Sequence, residues 1–421
     1  MAKNNAPWMK LDNAAKIFPS TGTKRDHKVF RFVCELREEV RPRLLQQAAE
    51  ETLESFPNFK SVMRRGLFWY YLEESDFLPV IEEEQEPLCA ALYEKNRPGL
   101  LFRVTYFGPR INLEVYHVLA DGTGAMWFLE EMVCRYLSLS HPQLRDKWRK
   151  EECAPPIFRR QEDSYSAHYG KTREKGKRLE RAFRLSGRKL PEHRVRAIGG
   201  LMSVGQVKAL AKKQQATITV MLTAMLLLAI YQEMPASRRK RPVVISVPVN
   251  LRNYFPSDSS RNFFTLIQIR YDFSRNSPEF SQIAASVSQQ FQQQLTKEKL
   301  GEHINSLIAM EKNPVARAVP LGVKNLFMRL GGFLAGMGET AALSNVGQVK
   351  MPEPFCPYIR LFDVFTATDK LQICMCSFED AMMVTFSDPF REPAVQRRFF
   401  RMLSSEGIEI EIITDHWEET L

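Results

Sequence analysis

The sequence predicts an α/β (α+β) protein made of two halves that share one mixed strand-and-helix design. Three observations lead to this fold class. The chain has 421 residues, 44% of them apolar and 26% charged, which suits a globular protein with a sizeable core. Strands and helices are mixed over the first 140 residues, and the pattern starts again after a basic segment. In the second half several strands follow one another without intervening helices, which argues against a doubly wound parallel sheet.

The first half covers residues 1–160. Its predicted strands are rich in β-branched and aromatic residues: 29–36, 67–75, 99–107 and 111–119. The last two flank Gly108-Pro109-Arg110 and therefore predict an antiparallel hairpin. Its predicted helices carry apolar residues near helical spacing: 42–55 and 123–139.

The second half covers residues 191–421 and repeats this mixture. Its predicted strands are 194–203, 243–249, 263–271, 341–349, 358–366, 370–378 and 382–388. Its predicted helices are 204–213, 217–232, 278–295, 316–334 and 391–405. The longest nearly unbroken apolar run, Ile218 to Ile230, has 13 residues. Because a bilayer span needs about 20 apolar residues, this run predicts a core helix and no membrane span.

The positive charge of the chain is concentrated between its two halves. Net charge is +10, and residues 159–196 contain 13 Lys or Arg against 5 Asp or Glu. We interpret 161–190 as a solvated basic crossover between the halves. Anionic lipid, the phosphates of a small cofactor and, third, nucleic acid are alternative partners for these cations. No nucleic-acid-binding motif lies nearby, so we expect no nucleic-acid partner and at most peripheral contact with a membrane.

The cysteines and the first residues predict a cytoplasmic location. The seven cysteines form no CxxC pair, and MAKNNAPWMK lacks the apolar region of a secretory signal. Both features favour reduced thiols in a cytosol.

The stretch YHVLADGTG, residues 116–124, carries the most informative chemical pattern. His117 ends an apolar strand, so its ring can project into a cleft from a rigid backbone, and an imidazole with a pKa of about 6.5 accepts protons at neutral pH. Asp121 stands where the next helix begins, and Gly122 allows close packing or unusual backbone angles. The structural alternative is a half-buried strand histidine followed by an aspartate that only caps the helix.

Three blocks of the sequence resemble the acyltransferase superfamily that has the motif HxxxDG. This superfamily includes chloramphenicol acetyltransferase, carnitine acyltransferases, plant alcohol acyltransferases, wax ester synthases and nonribosomal condensation domains. HVLADG, residues 117–122, matches the motif itself. PVNLR (248–252) with RNFF (261–264) is similar to the block PV-x-LR … GN, and SNVG (344–347) is similar to SNV-x-G. The pattern most resembles the bacterial alcohol acetyltransferase-like and wax ester synthase-like branch.

The resemblance implies two chloramphenicol acetyltransferase-like halves with a central active-site tunnel. It makes His117 the catalytic general base, which takes a proton from the acceptor as that acceptor attacks a thioester carbonyl. Asp121 belongs to the same motif and would pair with Arg252, so that it fixes the loop and relays no proton.

The other motif residues receive supporting roles from the same resemblance. Gly122 and Asn262 would help to shape the site. Ser344 and Asn345 would lie on the segment that bridges the halves, with Ser344 as a candidate oxyanion donor or a strand residue bonded to backbone. The implied co-substrate is acyl-CoA, the implied acceptor is a small-molecule alcohol or amine, and neither a metal nor a covalent intermediate is needed.

Departures from the superfamily pattern leave two further functions open. Condensation domains usually have a second histidine before the motif, where this chain has Tyr116. This disfavours amide formation with an acyl-carrier protein but keeps it as the first alternative. The DFGWG motif of plant acyltransferases is absent. The second alternative is a non-catalytic acyltransferase-like protein that binds a partner or a membrane surface.

Two other kinds of site are not expected. The histidines are scattered and no HExxH or paired CxxC occurs, so a zinc site is poorly supported. Gly336–Ala341 fits GxGxxA, but it follows a helix-like run and precedes a strand, which is the reverse of a dinucleotide site.

Overall fold

The computed structural model describes residues 7–414 except 86, 96, 146, 148–162 and 171–179. In this part the strands are β1 (Trp8–Lys10), β2 (Val29–Leu36), β3 (Ser61–Arg65), β4 (Tyr70–Glu74), β5 (Glu82–Glu83), β6 (Phe102–Phe107), β7 (Arg110–Tyr116), β8 (Arg196–Ser203), β9 (Val243–Asn250), β10 (Phe264–Tyr271), β11 (Ala341–Gln348), β12 (Ile359–Thr366), β13 (Leu371–Phe378), β14 (Ala381–Asp388) and β15 (Glu411–Thr414). Residues 161, 162 and 171–179 of the basic crossover, 161–190, lie outside the described residues, and the linking role of the crossover stays a prediction.

Helices pack around the strands. Four α-helices lie at or near the candidate site or carry a later argument: the short helix Phe18–Thr21, the site helix Gly122–Ser140, the core helix Ile218–Glu233 and the surface helix Leu321–Gly336. The other α-helices in the described ranges are Pro42–Leu53, Ser164–Ala167, Val204–Lys213, Phe280–Gln294, Lys297–Lys312, Pro314–Ala318 and Ala394–Ser405.

Two larger sheets form the frame of the molecule. The first has the strand order β12-β2-β7-β6-β5, and the second has the order β10-β9-β11-β13-β14-β8-β15. β11 runs parallel to β13 and to β9, whereas the other pairs of the second sheet are antiparallel. This sheet is therefore mixed rather than doubly wound, as the adjoining strands of the sequence predict. A smaller sheet has the order β1-β4-β3.

One strand from the second half of the chain completes the first sheet. β12 pairs antiparallel with β2 from Thr366 opposite Phe30 to Ile359 opposite Leu36. The hydroxyl of Thr366 also donates a hydrogen bond to the carbonyl of Val29 at 2.9 Å. The two halves are therefore interlocked through shared sheet structure. Nothing in the alternation of β12 reveals which sheet the strand joins.

Each large sheet has its own apolar core. In the first, Phe59 and Phe128 stack 4.4 Å apart beneath the strands. In the second, the core helix is buried around its circumference, which explains why its apolar run has no amphipathic period. Within the described ranges no single helix has the length and apolar character to cross a bilayer; only the bent pair Val204–Lys213 and Ile218–Glu233 meets that test jointly.

Most predicted elements are confirmed. The short elements that the sequence analysis does not predict are β1, β5, β15 and the helices Phe18–Thr21, Ser164–Ala167 and Pro314–Ala318. Three further differences concern longer elements and β3. The expected strand 67–75 is β4, and β3 precedes it. The expected helix 316–334 is the surface helix, which begins at Leu321. The helix Lys297–Lys312 is absent from the prediction although Leu300, Ile304 and Ile308 recur every four residues behind the capping residue Thr296.

Candidate active site

His117 lies directly after β7, at the point where the chain turns toward the site helix. Its backbone N–H donates to the carbonyl of Lys28 at 2.8 Å, which anchors the residue to the end of the neighbouring strand. The residues around it, from Tyr116 to Asp121, are buried, whereas His117 keeps part of its surface accessible. The fold therefore holds the backbone rigidly and leaves the ring reachable.

Three phenylalanine rings surround the imidazole of His117. Phe18 of the short helix stacks on it with ring centres 4.6 Å apart. Phe30 of β2 lies 5.0 Å away edge-on, and Phe264 of β10 lies 5.3 Å away. Burial lowers the pKa of His117, and the charge of Asp121 and the hydrogen bond to Asn262 oppose this only in part. The imidazole is therefore neutral at neutral pH.

Asn262 sets the tautomer of that imidazole. Its Nδ2 donates to the carbonyl oxygen of His117 at 3.0 Å, and a carbonyl can only accept, so the amide orientation is fixed. Oδ1 of Asn262 then faces Nδ1 of His117 at 2.9 Å. Because Oδ1 is an acceptor, Nδ1 must carry the hydrogen, and Nε2 is left with a free lone pair. A neutral histidine with an unprotonated Nε2 is the form that a general base requires.

Asp12 supports Asn262 from behind and is not identified by any sequence motif. Its Oδ2 accepts hydrogen bonds from Nδ2 of Asn262 at 3.1 Å and from the backbone N–H of Asn262 at 3.3 Å. Oδ1 accepts from the backbone N–H of Ala15 at 2.8 Å. Burial raises the pKa of Asp12, while Arg261 at 3.7 Å acts in the opposite direction. The spacing of Asp12 and Ala15 indicates a local turn and gives no sign of this distant contact.

Asp121 is both a helix cap and half of a buried ion pair. Its Oδ1 accepts from the backbone N–H of Gly124 at 3.0 Å, which caps the site helix. Its Oδ2 accepts from Nη1 of Arg252 at 2.7 Å and from the backbone N–H of Phe263 at 2.8 Å. Asp121 is therefore both the cap of the site helix and the partner of Arg252. Its carboxylate joins the two halves of the chain.

The side chain of Arg252 is only 7% exposed, and most of its hydrogen-bonding capacity is satisfied. Its guanidinium donates to the carbonyl of Ser259 at 2.7 Å and to that of Arg261 at 2.6 Å, besides Asp121. The neighbouring Asn250 connects the same block to the site helix, because its Nδ2 donates to the hydroxyl of Thr123 at 3.0 Å. The PVNLR and HVLADGTG blocks are thus joined in space, as a shared site demands.

The close approach expected at Gly122 occurs at Gly124. A Cβ on Gly122 would meet Phe32 and Val346 at 3.8 and 3.9 Å, which are ordinary contacts. A Cβ on Gly124 would lie 1.9 Å from the carbonyl oxygen of Ser260, a distance that no side chain tolerates. The site helix therefore begins against the backbone of the second half, and the second glycine of the DGTG sequence permits it.

The SNVG segment lies on β11 next to the start of the site helix. Val346 is the nearest of its side chains to Gly122. Nδ2 of Asn345 donates to the hydroxyl of Thr219 at 2.9 Å, and Oδ1 accepts from the N–H of Gly347 at 2.9 Å, where φ is +91°. Both polar atoms of Asn345 are thus engaged in holding a bulge in the strand. Ser344 is half-buried, and its hydroxyl has no hydrogen-bond partner among the described residues.

The structure brings together four of the predicted site residues: His117, Asp121, Arg252 and Asn262 are linked by hydrogen bonds either directly or through the Asn262–Phe263 backbone. No such bond joins Ser344 or Asn345 to His117 within the described ranges. In those same ranges, no three His, Cys, Asp or Glu side chains are grouped as they would be around a metal ion.

Comparisons with known proteins agree with the resemblance given by the motifs. Residues 201–354 match the family model for alcohol acetyltransferase, a stretch that contains Arg252 and Asn262 but not His117. No curated protein sequence matches the chain significantly.

Solved structures share the fold over nearly the whole chain. The trichothecene 15-O-acetyltransferase TRI3 from Fusarium sporotrichioides has a TM-score of 0.63 and 11% identity, with 96% of this chain and 95% of that chain covered. TRI101 from F. graminearum, in complex with coenzyme A and T-2 mycotoxin, gives 0.65 and 9%, with 96% and 100% covered. The first condensation domain of the CDA synthetase gives 0.59 and 15%, with 96% and 97% covered.

These matches confirm the sequence-based recognition and the two-lobed α/β fold. At such identities the solved structures establish the fold alone, and the family model adds the alcohol acetyltransferase pattern in the second half. The match of residues 201–354 to the alcohol acetyltransferase model agrees with the predicted class of enzyme, an acyltransferase.

Proposed function

We propose that the protein transfers an acyl group from a CoA thioester to the hydroxyl of a small-molecule alcohol, with His117 as the general base. The hydrogen bond between Nδ1 of His117 and Oδ1 of Asn262 carries this proposal, because it leaves Nε2 unprotonated. Nε2 accepts the hydroxyl proton as the alcohol oxygen attacks the thioester carbonyl. The tetrahedral intermediate then expels the CoA thiolate, which takes that proton from Nε2. Ester and free CoA thiol result, and His117 returns to its initial form without a covalent intermediate.

Asp121 acts in this scheme by position rather than by proton transfer. Its two oxygens are engaged by the cap, by Arg252 and by the backbone of Phe263, so neither faces His117 for a relay. The carboxylate instead ties the loop after His117 to the PVNLR block. A fixed loop keeps the base within reach of its substrate, which contributes to the rate through orientation.

The co-substrate and the acceptor follow from the similar proteins. TRI101 was solved with coenzyme A and the alcohol T-2 mycotoxin, and TRI3 is an O-acetyltransferase. We therefore propose an acyl-CoA donor, with acetyl as the first acyl group to test, and an alcohol acceptor before an amine. Ser344 remains our candidate oxyanion donor, since its hydroxyl has no hydrogen-bond partner among the described residues. The central tunnel and the cytoplasmic location also remain predictions.

A condensation reaction with a carrier-bound donor is the second candidate, favoured by the fold it shares with the CDA synthetase domain. Tyr116 argues against it. This residue occupies the place of the second histidine of condensation domains, is buried, and stacks parallel to Tyr93 with ring centres 6.2 Å apart. Burial raises the pKa of Tyr116, so the phenol stays neutral and offers no second base. A non-catalytic role is disfavoured because the Asp121–Arg252 pair and the His117 tautomer are both in place.

The test is release of free thiol from acetyl-CoA with a panel of alcohols and amines. We expect turnover with at least one alcohol, and His117→Ala should lower it roughly 10²–10⁴-fold while the protein stays folded. His141→Ala is the matched control, because His141 follows the far end of the same helix, in ring contact with Tyr358. This control should keep wild-type turnover.

Three outcomes would contradict the proposal. An equal loss of turnover in His117→Ala and His141→Ala would show that His117 is not the general base. Turnover with amines but with no alcohol would favour the condensation candidate. Stoichiometric binding of acetyl-CoA by the wild type without thiol release from any acceptor would favour a non-catalytic protein.

A further inference from the structure

The surface helix, Leu321–Gly336, presents its large apolar side chains to solvent. The exposed members are Val323, Leu326, Phe327, Leu330, Phe333 and Leu334. At 100° per residue they occupy an arc of roughly 120° on one side of the helix. Leu326 and Phe327 are 67% and 66% exposed. A helix on a globular protein normally turns such a stripe toward the core, so this orientation is inverted.

Specific contacts hold the helix in this orientation through its opposite face. The hydroxyl of Ser20 donates to Oδ1 of Asn325 at 2.7 Å, and Nε of Arg329 donates to the carbonyl of Ser20 at 3.2 Å. Nδ2 of Asn325 donates to the hydroxyl of Tyr70 at 3.0 Å. Polar and small residues thus bind the helix to the body of the protein. The outward apolar stripe is a consequence of these bonds and not of a loosely placed segment.

The apolar surface continues from the helix onto a neighbouring loop. The backbone N–H of Leu321 donates to the carbonyl of Leu67 at 3.0 Å, and Nζ of Lys324 donates to that of Phe68 at 3.2 Å. Leu67 is itself 73% exposed, and Phe68 is exposed in part. Nζ of Lys324 also lies 3.5 Å from the centre of the Trp69 ring, which ties helix and loop into one unit.

The charge along the surface helix and the residues that lead into it has one sign. Residues 312–336 contain Lys312, Arg317, Lys324 and Arg329 and no Asp or Glu. Lys312, Arg317 and Arg329 are exposed. The acidic residues on either side of this segment are Glu311, which pairs with Lys16 at 2.5 Å, and Glu339, which pairs with Lys370. The partner of this surface must therefore be apolar in part and negatively charged.

We propose that the surface helix docks the protein on an anionic membrane surface, with its axis parallel to the bilayer and the stripe inserted among the lipid chains. Apolar side chains flanked by Lys and Arg are the features of helices that lie in a membrane interface, and each exposed cation adds attraction to anionic lipid. A second copy of this chain fits less well because it would bring like charges together. A folded acidic protein would have to supply an apolar groove as well as negative charge, whereas an anionic bilayer supplies both along the whole helix.

The docking surface lies one element away from the candidate base. The short helix bonds to the surface helix through Ser20, and Phe18 of the same short helix stacks on His117. An alcohol dissolved in the membrane is therefore the acceptor class that suits this arrangement, an inference that rests on the proposed reaction. The docking itself does not, and it is measured without acyl-CoA or alcohol.

The experiment measures co-sedimentation of the full chain with vesicles of phosphatidylcholine alone and with vesicles that also contain phosphatidylglycerol. We expect wild-type protein to bind the anionic vesicles at least roughly tenfold more strongly than the neutral ones. Leu326→Gln/Phe327→Gln should lose at least roughly tenfold of that affinity. Leu266→Gln/Ile412→Gln is the matched control, because these apolar residues are both 51% exposed and lie on the two edge strands of the second sheet. It should bind like the wild type.

A second pair, Phe333→Gln/Leu334→Gln, repeats the test, and thermal melts of all variants should be unchanged because the side chains are exposed. The proposal is overturned if the wild type binds neither vesicle, if it prefers neutral vesicles, or if both stripe variants bind like the wild type. It is also overturned if the stripe variants abolish self-association measured by light scattering while vesicle binding persists, which would identify a second copy as the occupant.

Discussion

Replacing Gly124 with alanine should loosen the joint between the two halves of the chain. The new Cβ would lie 1.9 Å from the carbonyl oxygen of Ser260 and 2.7 Å from its carbonyl carbon. Ordinary contacts of a Cβ are 3.4–4 Å, so one backbone must move by about 1.5 Å. Both backbones are constrained. The N–H of Gly124 is the donor that caps the site helix on Asp121, and the carbonyls of Ser259 and Arg261, on either side of Ser260, accept hydrogen bonds from Arg252.

The magnitude follows from three contributions. Overpacking of this kind costs about 1–3 kcal/mol, and loss of the cap adds about 1 kcal/mol. Alanine regains about 1 kcal/mol through its higher helix propensity. The net loss of unfolding free energy is then about 1–3 kcal/mol. For 421 residues that unfold together, the unfolding entropy is about 0.9 kcal/mol/K, so the melting temperature should fall by about 1–3 °C.

Thermal melts and thiol-release kinetics together test this prediction. Gly122→Ala is the control, because its Cβ would meet Phe32 and Val346 at ordinary distances of 3.8 and 3.9 Å, and its melt should match the wild type. Gly124→Ala should also lower kcat/KM by roughly tenfold, since Asp121 and the loop before Asn262 lie at this joint. A Gly124→Ala protein that melts and turns over like Gly122→Ala would refute the close approach of the two halves.

Three more predictions concern His117 and the residues linked to it. Asp121→Ala should lower the free energy of unfolding by about 3–5 kcal/mol, because Arg252 would keep only its neutral partners; an unchanged thermal melt would contradict the ion pair. The acidic limb of the wild-type kcat/KM profile should have its midpoint below about 6.5, the ordinary pKa of an imidazole, because burial depresses the pKa of His117 and the protonated, inactive form appears at lower pH. Asn262→Ala should lower kcat/KM about 10–100-fold and move the acidic limb to still lower pH. The hydrogen bond from Asn262 raises the pKa of His117, so its removal lowers that pKa. A loss of activity with an unmoved acidic limb would indicate that Asn262 has a structural role only.

Local sequence patterns predict the helices and strands correctly where the structure of an element depends on its own residues. The apolar run of the core helix and the alternation of β9 to β14 follow from burial on all sides and from sheet pairing. His117 and Asp121 stand out because one ends a strand and the other begins a helix, whereas Arg252 and Asn262 are indicated only by the resemblance of their blocks to the superfamily motifs. Their roles in chemistry remain proposals.

The features that local patterns miss depend on distant backbone. Asp12 touches Asn262 across 250 residues of chain, and no periodic pattern marks it. Two glycines stand two positions apart in DGTG, and only the position of Ser260 decides that Gly124 is the constrained one. The outward stripe of the surface helix has the same helical spacing as a core-facing stripe, so the pattern alone cannot tell which side meets solvent.

The pairing of β12 with β2 has a consequence for how the protein is made. β2 ends at Leu36, and its partner begins at Ile359, which is 323 residues later in synthesis. At about 5–20 residues per second, the nascent chain waits roughly 16–65 s before that partner leaves the ribosome. During this interval the outer edge of β2 offers unpaired backbone groups to any other strand. Nascent chains on neighbouring ribosomes are therefore the main hazard to correct folding, and a chaperone that covers this edge until β12 emerges should raise the yield of native protein.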